Sequence, residues 1–156
     1  MIKNILWIGL LLFSLTACSD DDEQQTVTAF DVIMNGKVLD DNAKVTVTDV
    51  STENGFPLMS FIVSVKNNQK TAIEVSIEKK DMSVSEGSSS DFCWGDKCYT
   101  SGNPSITIGG GVTENSFHAS YVPEKNGKAV IKYVFAEKTA GGYSRSVEVT
   151  YNYTAE

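Results

Sequence analysis

From Val27 to its end the chain is a succession of short runs in which apolar and polar residues alternate, each run closed by turn formers. A period of two places successive side chains on opposite faces of an extended strand, so a chain written this way can bury one face of a sheet but not the stripe of a helix. Lys44-Val45-Thr46-Val47-Thr48-Asp49-Val50 alternates with Val45, Val47 and Asp49 on one face. Leu58-Met59-Ser60-Phe61-Ile62-Val63-Ser64-Val65 is the most apolar run, with Met59, Phe61, Val63 and Val65 aligned. Ala72-Ile73-Glu74-Val75-Ser76-Ile77-Glu78-Lys79 aligns Ile73, Val75 and Ile77. Later runs align Phe117, Ala119 and Tyr121, then Ala129, Ile131, Tyr133 and Phe135, then Val147, Val149, Tyr151 and Tyr153.

Turn signals separate these runs. Asn35-Gly36 is a favoured two-residue hairpin turn. Asp40-Asp41-Asn42-Ala43 reads as a surface turn, a calcium contribution from its oxygens being the alternative although the spacing is not that of an EF-hand. Residues 66–70 are expected to turn the chain between the runs at 58–65 and 72–79, a pair expected at the centre of the fold. Residues 80–91 read as a polar loop, and Pro104-Ser105-Ile106-Thr107-Ile108 as a short strand. Gly109-Gly110-Gly111 lacks the Gly-Lys-Ser/Thr ending and the following helix of a phosphate cradle. Many short strands without an amphipathic helix predict an all-β, antiparallel β-sandwich of about seven to nine strands. A small barrel is the alternative.

Tyr121-Val122-Pro123, then Gly127, then Ile131-Lys132-Tyr133-Val134-Phe135 resembles the late strands of immunoglobulin-like modules of bacterial surface proteins. There a strand ends at Tyr-x-Pro, turns at glycine and returns through Ile-x-Tyr-x-Phe. The resemblance spans roughly residues 58–153 and implies an immunoglobulin-like sandwich.

The beginning of the chain is different in kind. Lys3 and the run Ile5-Leu6-Trp7-Ile8-Gly9-Leu10-Leu11-Leu12-Phe13 read as an export signal, too short for a bilayer-spanning helix of about 20 apolar residues. Leu15-Thr16-Ala17-Cys18 resembles the bacterial lipobox. That resemblance implies cleavage before Cys18 and acylation of its sulfur and new amino terminus, palmitate included, giving an anchor of several chains. Ser19-Asp20-Asp21-Asp22-Glu23-Gln24-Gln25 is a like-charged, solvated tether. It is also similar to the acidic export signal of Bacteroidetes surface lipoproteins, which implies the outer leaflet of the outer membrane, with a periplasm-facing tether as the alternative. The expected organisation is a signal peptide at 1–17, a lipidated tether at 18–26 and a sandwich domain at 27–156.

The formal charge is −7, and an acidic chain repels polyanions, so nucleic acid is not expected as a partner. Phe92-Cys93-Trp94-Gly95-Asp96-Lys97-Cys98-Tyr99 is the chemically unusual stretch. In an exported protein Cys93 and Cys98 are expected to bridge across a turn at Gly95 and Asp96. A thioredoxin-type redox pair would need two intervening residues and a zinc site four ligands, so neither a metal nor a cofactor is expected. Trp94 and Tyr99 are candidate ligand-binding residues for a glycan or a protein. The competing reading has Phe92 and Trp94 plug one end of the sandwich. The single histidine, His118, is expected to face away from the core, and there is no Gly-x-Ser-x-Gly elbow. The expected function is therefore that of a non-catalytic, lipid-anchored surface protein acting by binding or assembly. Its alternatives are a pilus-type subunit exchanging its terminal runs 27–34 or 144–153, and an accessory of a surface enzyme system.

Overall fold

The computed structural model describes residues 28–139 and 142–155; the expectations for residues 1–27, Cys18 among them, lie outside the described residues. Along the chain the strands are β1 (Phe30–Met34), β2 (Lys37–Val38), β3 (Ala43–Val47), β4 (Ser51–Glu53), β5 (Phe56–Asn67), β6 (Ile73–Ser83), β7 (Ser89–Trp94), β8 (Lys97–Tyr99), β9 (Ser105–Ile108), β10 (Thr113–Val122), β11 (Gly127–Glu137) and β12 (Ser144–Tyr153). No helix occurs among the described residues. One sheet runs β2-β1-β5-β10-β7-β8, with β4 joined to the start of β5; the other runs β3-β12-β11-β6-β9. Their facing sides enclose one core, and the architecture is that of an immunoglobulin-like β-sandwich.

The aligned faces read from the sequence are the buried faces. Met59, Phe61, Val63 and Val65, then Ile73, Val75 and Ile77, then Phe117, Ala119 and Tyr121, and Ala129, Ile131, Tyr133 and Phe135 all lie in the core. Phe117 is its hub. Its ring lies 6.0 Å from Phe61, 6.3 Å from Phe92 and Trp94, 5.4 Å from Tyr133 and 5.1 Å from Phe135. Three of these neighbours share its sheet and two come from the opposite one, so the cluster binds the layers face to face. Asn35 and Gly36 both have positive φ, 51° and 76°, as the type I′ turn joining β1 to β2 requires.

Three expectations are corrected. First, β5 and β6 do not pair: β5 lies between β1 and β10 and also pairs with β4, whereas β6 lies between β11 and β9. Residues 68–72 are thus a crossover between the two sheets. Second, residues 80–91 are not one loop, because β6 continues to Ser83 beside β11 and β7 begins at Ser89. Polar residues suit this extension because β6 has one solvated face, while on its inner side Lys79 donates to the Ser90 carbonyl at 3.0 Å and Oγ at 2.6 Å. Third, the sheets are not wholly antiparallel, since β3 runs parallel to β12 from Ala43↔Val147 to Val47↔Tyr151. It is docked there by Asp41, whose carboxylate accepts from the Ser146 amide at 3.0 Å, and by Asn42, which accepts from the Ser146 hydroxyl at 2.7 Å.

The crossover is held by Asn67, whose side chain is fully buried. Its amide nitrogen donates to the carbonyls of Thr71 at 2.9 Å, Ile108 at 3.0 Å and Gly109 at 3.0 Å, and its oxygen accepts from the Gln69 amide at 2.8 Å. One side chain thereby satisfies backbone groups from the crossover and from the end of β9. Gly110 completes the joint: a Cβ there would stand 2.2 Å from the Lys70 carbonyl oxygen. The glycine run excluded as a phosphate cradle is a point of backbone contact.

Asn67→Ala removes one polar group and strands several buried carbonyls. We expect a loss of about 2–4 kcal/mol in urea unfolding, well above the typical cost of a single substitution. A second expectation concerns alkali. Burial, and after it the neighbouring phenol of Tyr151, push the Tyr133 hydroxyl far above the ordinary tyrosine range, and burial does the same to Tyr151. Among the described residues neither hydroxyl has a hydrogen-bond partner. Because the folded state raises both values, the associated stability is fully present below the unfolded phenol value of about 10 and is lost as the pH climbs above it. Phenolate absorbance from these two residues should therefore appear together with unfolding, and Tyr133→Phe/Tyr151→Phe should remove that component without lowering stability at neutral pH.

Candidate functional site

The stretch 92–99 folds as a tight hairpin. Phe92 pairs with Tyr99, Cys93 with Cys98 and Trp94 with Lys97, leaving Gly95 and Asp96 as the two-residue turn. Gly95 has a φ of 66°, which suits a glycine at the first position of such a turn. The bridge expected between Cys93 and Cys98 is present and links residues directly opposite each other. In the chain-entropy account a loop this short contributes about 2 kcal/mol.

Strand parity then decides the aromatics. Phe92 and Trp94 point into the sandwich and are 0% and 1% exposed, while the cysteines between them face outward. Trp94 packs on Phe117, and its indole N–H donates to the Val75 carbonyl of β6 at 3.1 Å, a link between the two sheets. This corrects the placement of Trp94 as a ligand-binding residue: its ring and its only donor are used inside the protein. Tyr99 is half-buried on the edge strand, its ring 5.7 Å from Phe92. The candidate pair thus acts as a plug and its cover.

What the hairpin does present is the outer side of its sheet. Ile62, His118, Cys93 and Cys98 lie side by side on β5, β10, β7 and β8, and the next row toward the start of β5 is Ser60, Ser120 and Asp91. His118 faces this side as expected, with its Nε2 3.2 Å from Ser60 Oγ. Backbone N–H groups are one source of donors to a developing oxyanion, and on interior strands those groups serve the sheet ladder. β5 and β10 are both interior.

One exposed aromatic was not singled out from the sequence. Asn54 and Gly55, with φ of 52° and 85°, form a second type I′ turn that joins β4 to β5. Immediately after it Phe56 stands 65% exposed. The signal was the same Asn-Gly dipeptide read at residues 35 and 36. A cleft lies beside this hairpin, against Asp91, Ser120 and Val122.

No protein-family model matches the chain, and no curated protein matches it. Among solved structures it is similar to the N-terminal domain of PorA, at 23% identity and a TM-score of 0.64, covering 80% of this chain and 97% of that one. The PapD-like domain 7 of human CEP192 matches at 9% identity and a TM-score of 0.48, covering 98% of this chain and 100% of that one. The CooA pilin subunit of enterotoxigenic Escherichia coli matches at 16% identity and a TM-score of 0.44, covering 81% and 99%. At its level of identity the PorA domain shares the fold.

The bridge pins a local hairpin and the core holds Phe92 and Trp94 independently of it. Cys93→Ser/Cys98→Ser should accordingly keep the native far-ultraviolet circular dichroism and lower the Tm by about 5–10 °C.

Proposed function

We propose that this chain is a lipid-anchored surface module whose role is non-catalytic: it holds an immunoglobulin-like sandwich at the outer face of the outer membrane for binding or assembly. The observation that carries this reading is the lipobox-like Leu15-Thr16-Ala17-Cys18 followed at once by four consecutive acids. The position of the folded module supports it. The first strand begins at Phe30, and the residues from Cys18 to that point can reach at most about 40 Å, at roughly 3.5 Å per extended residue. A module so tethered stays next to its membrane and meets whatever lies beside that surface.

The second reading, a strand-exchanging pilus-type subunit, is less well supported. Phe30 and Val32 of β1 are fully buried, and β12 is seated between β11 and β3. Both segments that would be exchanged are engaged within this chain.

Two measurements test the anchor. Full-length protein expressed in a bacterial host should partition with membranes and carry the added mass of acyl chains, and Cys18→Ser should move it to the soluble fraction. Equal partitioning of the two would overturn the anchor. In the native host, protease added outside intact cells should remove the domain; its survival there, with digestion only after lysis, would place it on the inner side.

A further inference from the structure

The strand β5 gives the module a direction. It is twelve residues long, about 36–40 Å at the rise of an extended strand. Its last residue, Asn67, lies beside the start of the domain, where the Asn68 amide donates to the Ala29 carbonyl at 3.0 Å and the Asn68 side chain to the Thr28 hydroxyl at 3.2 Å. Its first residue, Phe56, therefore stands at the opposite end. If the tether runs from Cys18 to Thr28, the Asn54-Gly55 hairpin and Phe56 point away from the lipid. This orientation rests on the anchored reading; the chemistry of the cleft does not.

The cleft at that far end has a volume of about 370 Å³. Phe56, Pro57, Leu58 and Val122 supply its apolar surface, and Glu53 and Asp91 supply two carboxylates. Among the described residues no lysine or arginine lines it. Neither carboxylate takes part in an ion pair or side-chain hydrogen bond found among the described residues, whereas Asp31, Glu74, Glu78, Asp81 and Glu148 each have a cationic partner. The lone pairs of Glu53 and Asp91 thus remain available to a ligand, and the ring of Phe56 is open to solvent.

We propose that this cleft is a recognition site for a basic side chain, arginine or lysine, carried by an extended segment of a partner polypeptide. Charge complementarity selects the occupant. Lysine and arginine are apolar along the stem and cationic at the tip, which matches an apolar wall with acids beside it. A cation above an aromatic face gains from the ring quadrupole, and two unpaired carboxylates add Coulomb attraction and hydrogen-bond acceptors. Membrane lipid is not the occupant of choice, because an acidic cleft repels anionic headgroups.

The test uses purified full-length protein in non-ionic detergent, isotope-labelled and titrated with a blocked Gly-Arg-Gly-Arg-Gly peptide while backbone amide resonances are followed. Shifts should cluster at Asn54, Phe56, Leu58, Asp91 and Val122 and should largely disappear at about 0.5 M salt, where screening acts within a few ångströms. Phe56→Ser should weaken binding about three-fold, the worth of an exposed cation–π contact, and Asp91→Asn about five-fold through loss of electrostatic complementarity. All these positions are partly or fully solvent-exposed, and matching thermal melts would show that the variants remain folded. The proposal is overturned if the Gly-Gln-Gly-Gln-Gly peptide gives the same shifts, if the shifts fall elsewhere or fail to arise, or if a neutral tetrasaccharide shifts these residues while the arginine peptide does not. None of these outcomes bears on the Cys18 anchor, which partitioning tests separately.

Discussion

Every other feature of this module depends on the aromatic packing around Phe117. A sandwich is two sheets with no covalent reason to stay together, so its stability rests on apolar side chains that meet between the layers. Phe117 sits on the interior strand β10 and touches rings from β5, β7 and β11. Trp94 adds a directed bond to Val75 in the opposite sheet. Because Phe92 and Trp94 are committed to this cluster, strand parity sends Cys93 and its partner Cys98 outward. The hairpin is chemically unusual in sequence and structural in role for one and the same reason.

A second constraint acts at the edge of that core. The chain must pass from one sheet to the other after β5, and a crossover inside a protein carries backbone groups that no ladder satisfies. Asn67 resolves this by offering its amide to three carbonyls and its oxygen to the Gln69 amide. Gly110 lets the turn after β9 approach closely enough to complete the joint. This end of the module, which also holds Thr28 and Ala29, is thereby closed by hydrogen bonds from Asn67 and Asn68. The opposite end carries the Asn54-Gly55 hairpin and the exposed ring of Phe56.

Much of the fold was legible before any coordinates. Buried faces followed from alternation at Met59 to Val65, Ile73 to Ile77, Phe117 to Tyr121 and Ala129 to Phe135, because period and burial are the same fact in a one-sided sheet. The Asn35-Gly36 hairpin was legible because only a few dipeptides accept two positive φ values. Pairing was not. Nothing in the runs at 58–65 and 72–79 tells a hairpin from a crossover, since both put the same residues inward; the distinction is made by β10, far along the chain, claiming the edge of β5. The polar run 80–91 misled because solvent-facing strand positions and loop positions share a composition. The candidate site was half legible: the bridge could be read from two closely spaced cysteines flanking a turn, but the direction of Trp94 depends on which face of β7 the opposite sheet covers.

By itself, then, the sequence determined the all-β class, the inward residues of most strands, the two-residue turns and the change in composition and charge that sets the first residues apart from the alternating runs. These are local properties, set by period, dihedral preference and charge within a few residues. Tertiary structure alone decided which strands are neighbours, that β3 lies parallel to β12, that Asn67 is a buried joint, and that Trp94 is core while Phe56 is free. Those outcomes depend on contacts between residues far apart in the chain, and a side chain's availability is fixed only when its distant neighbours have taken their places.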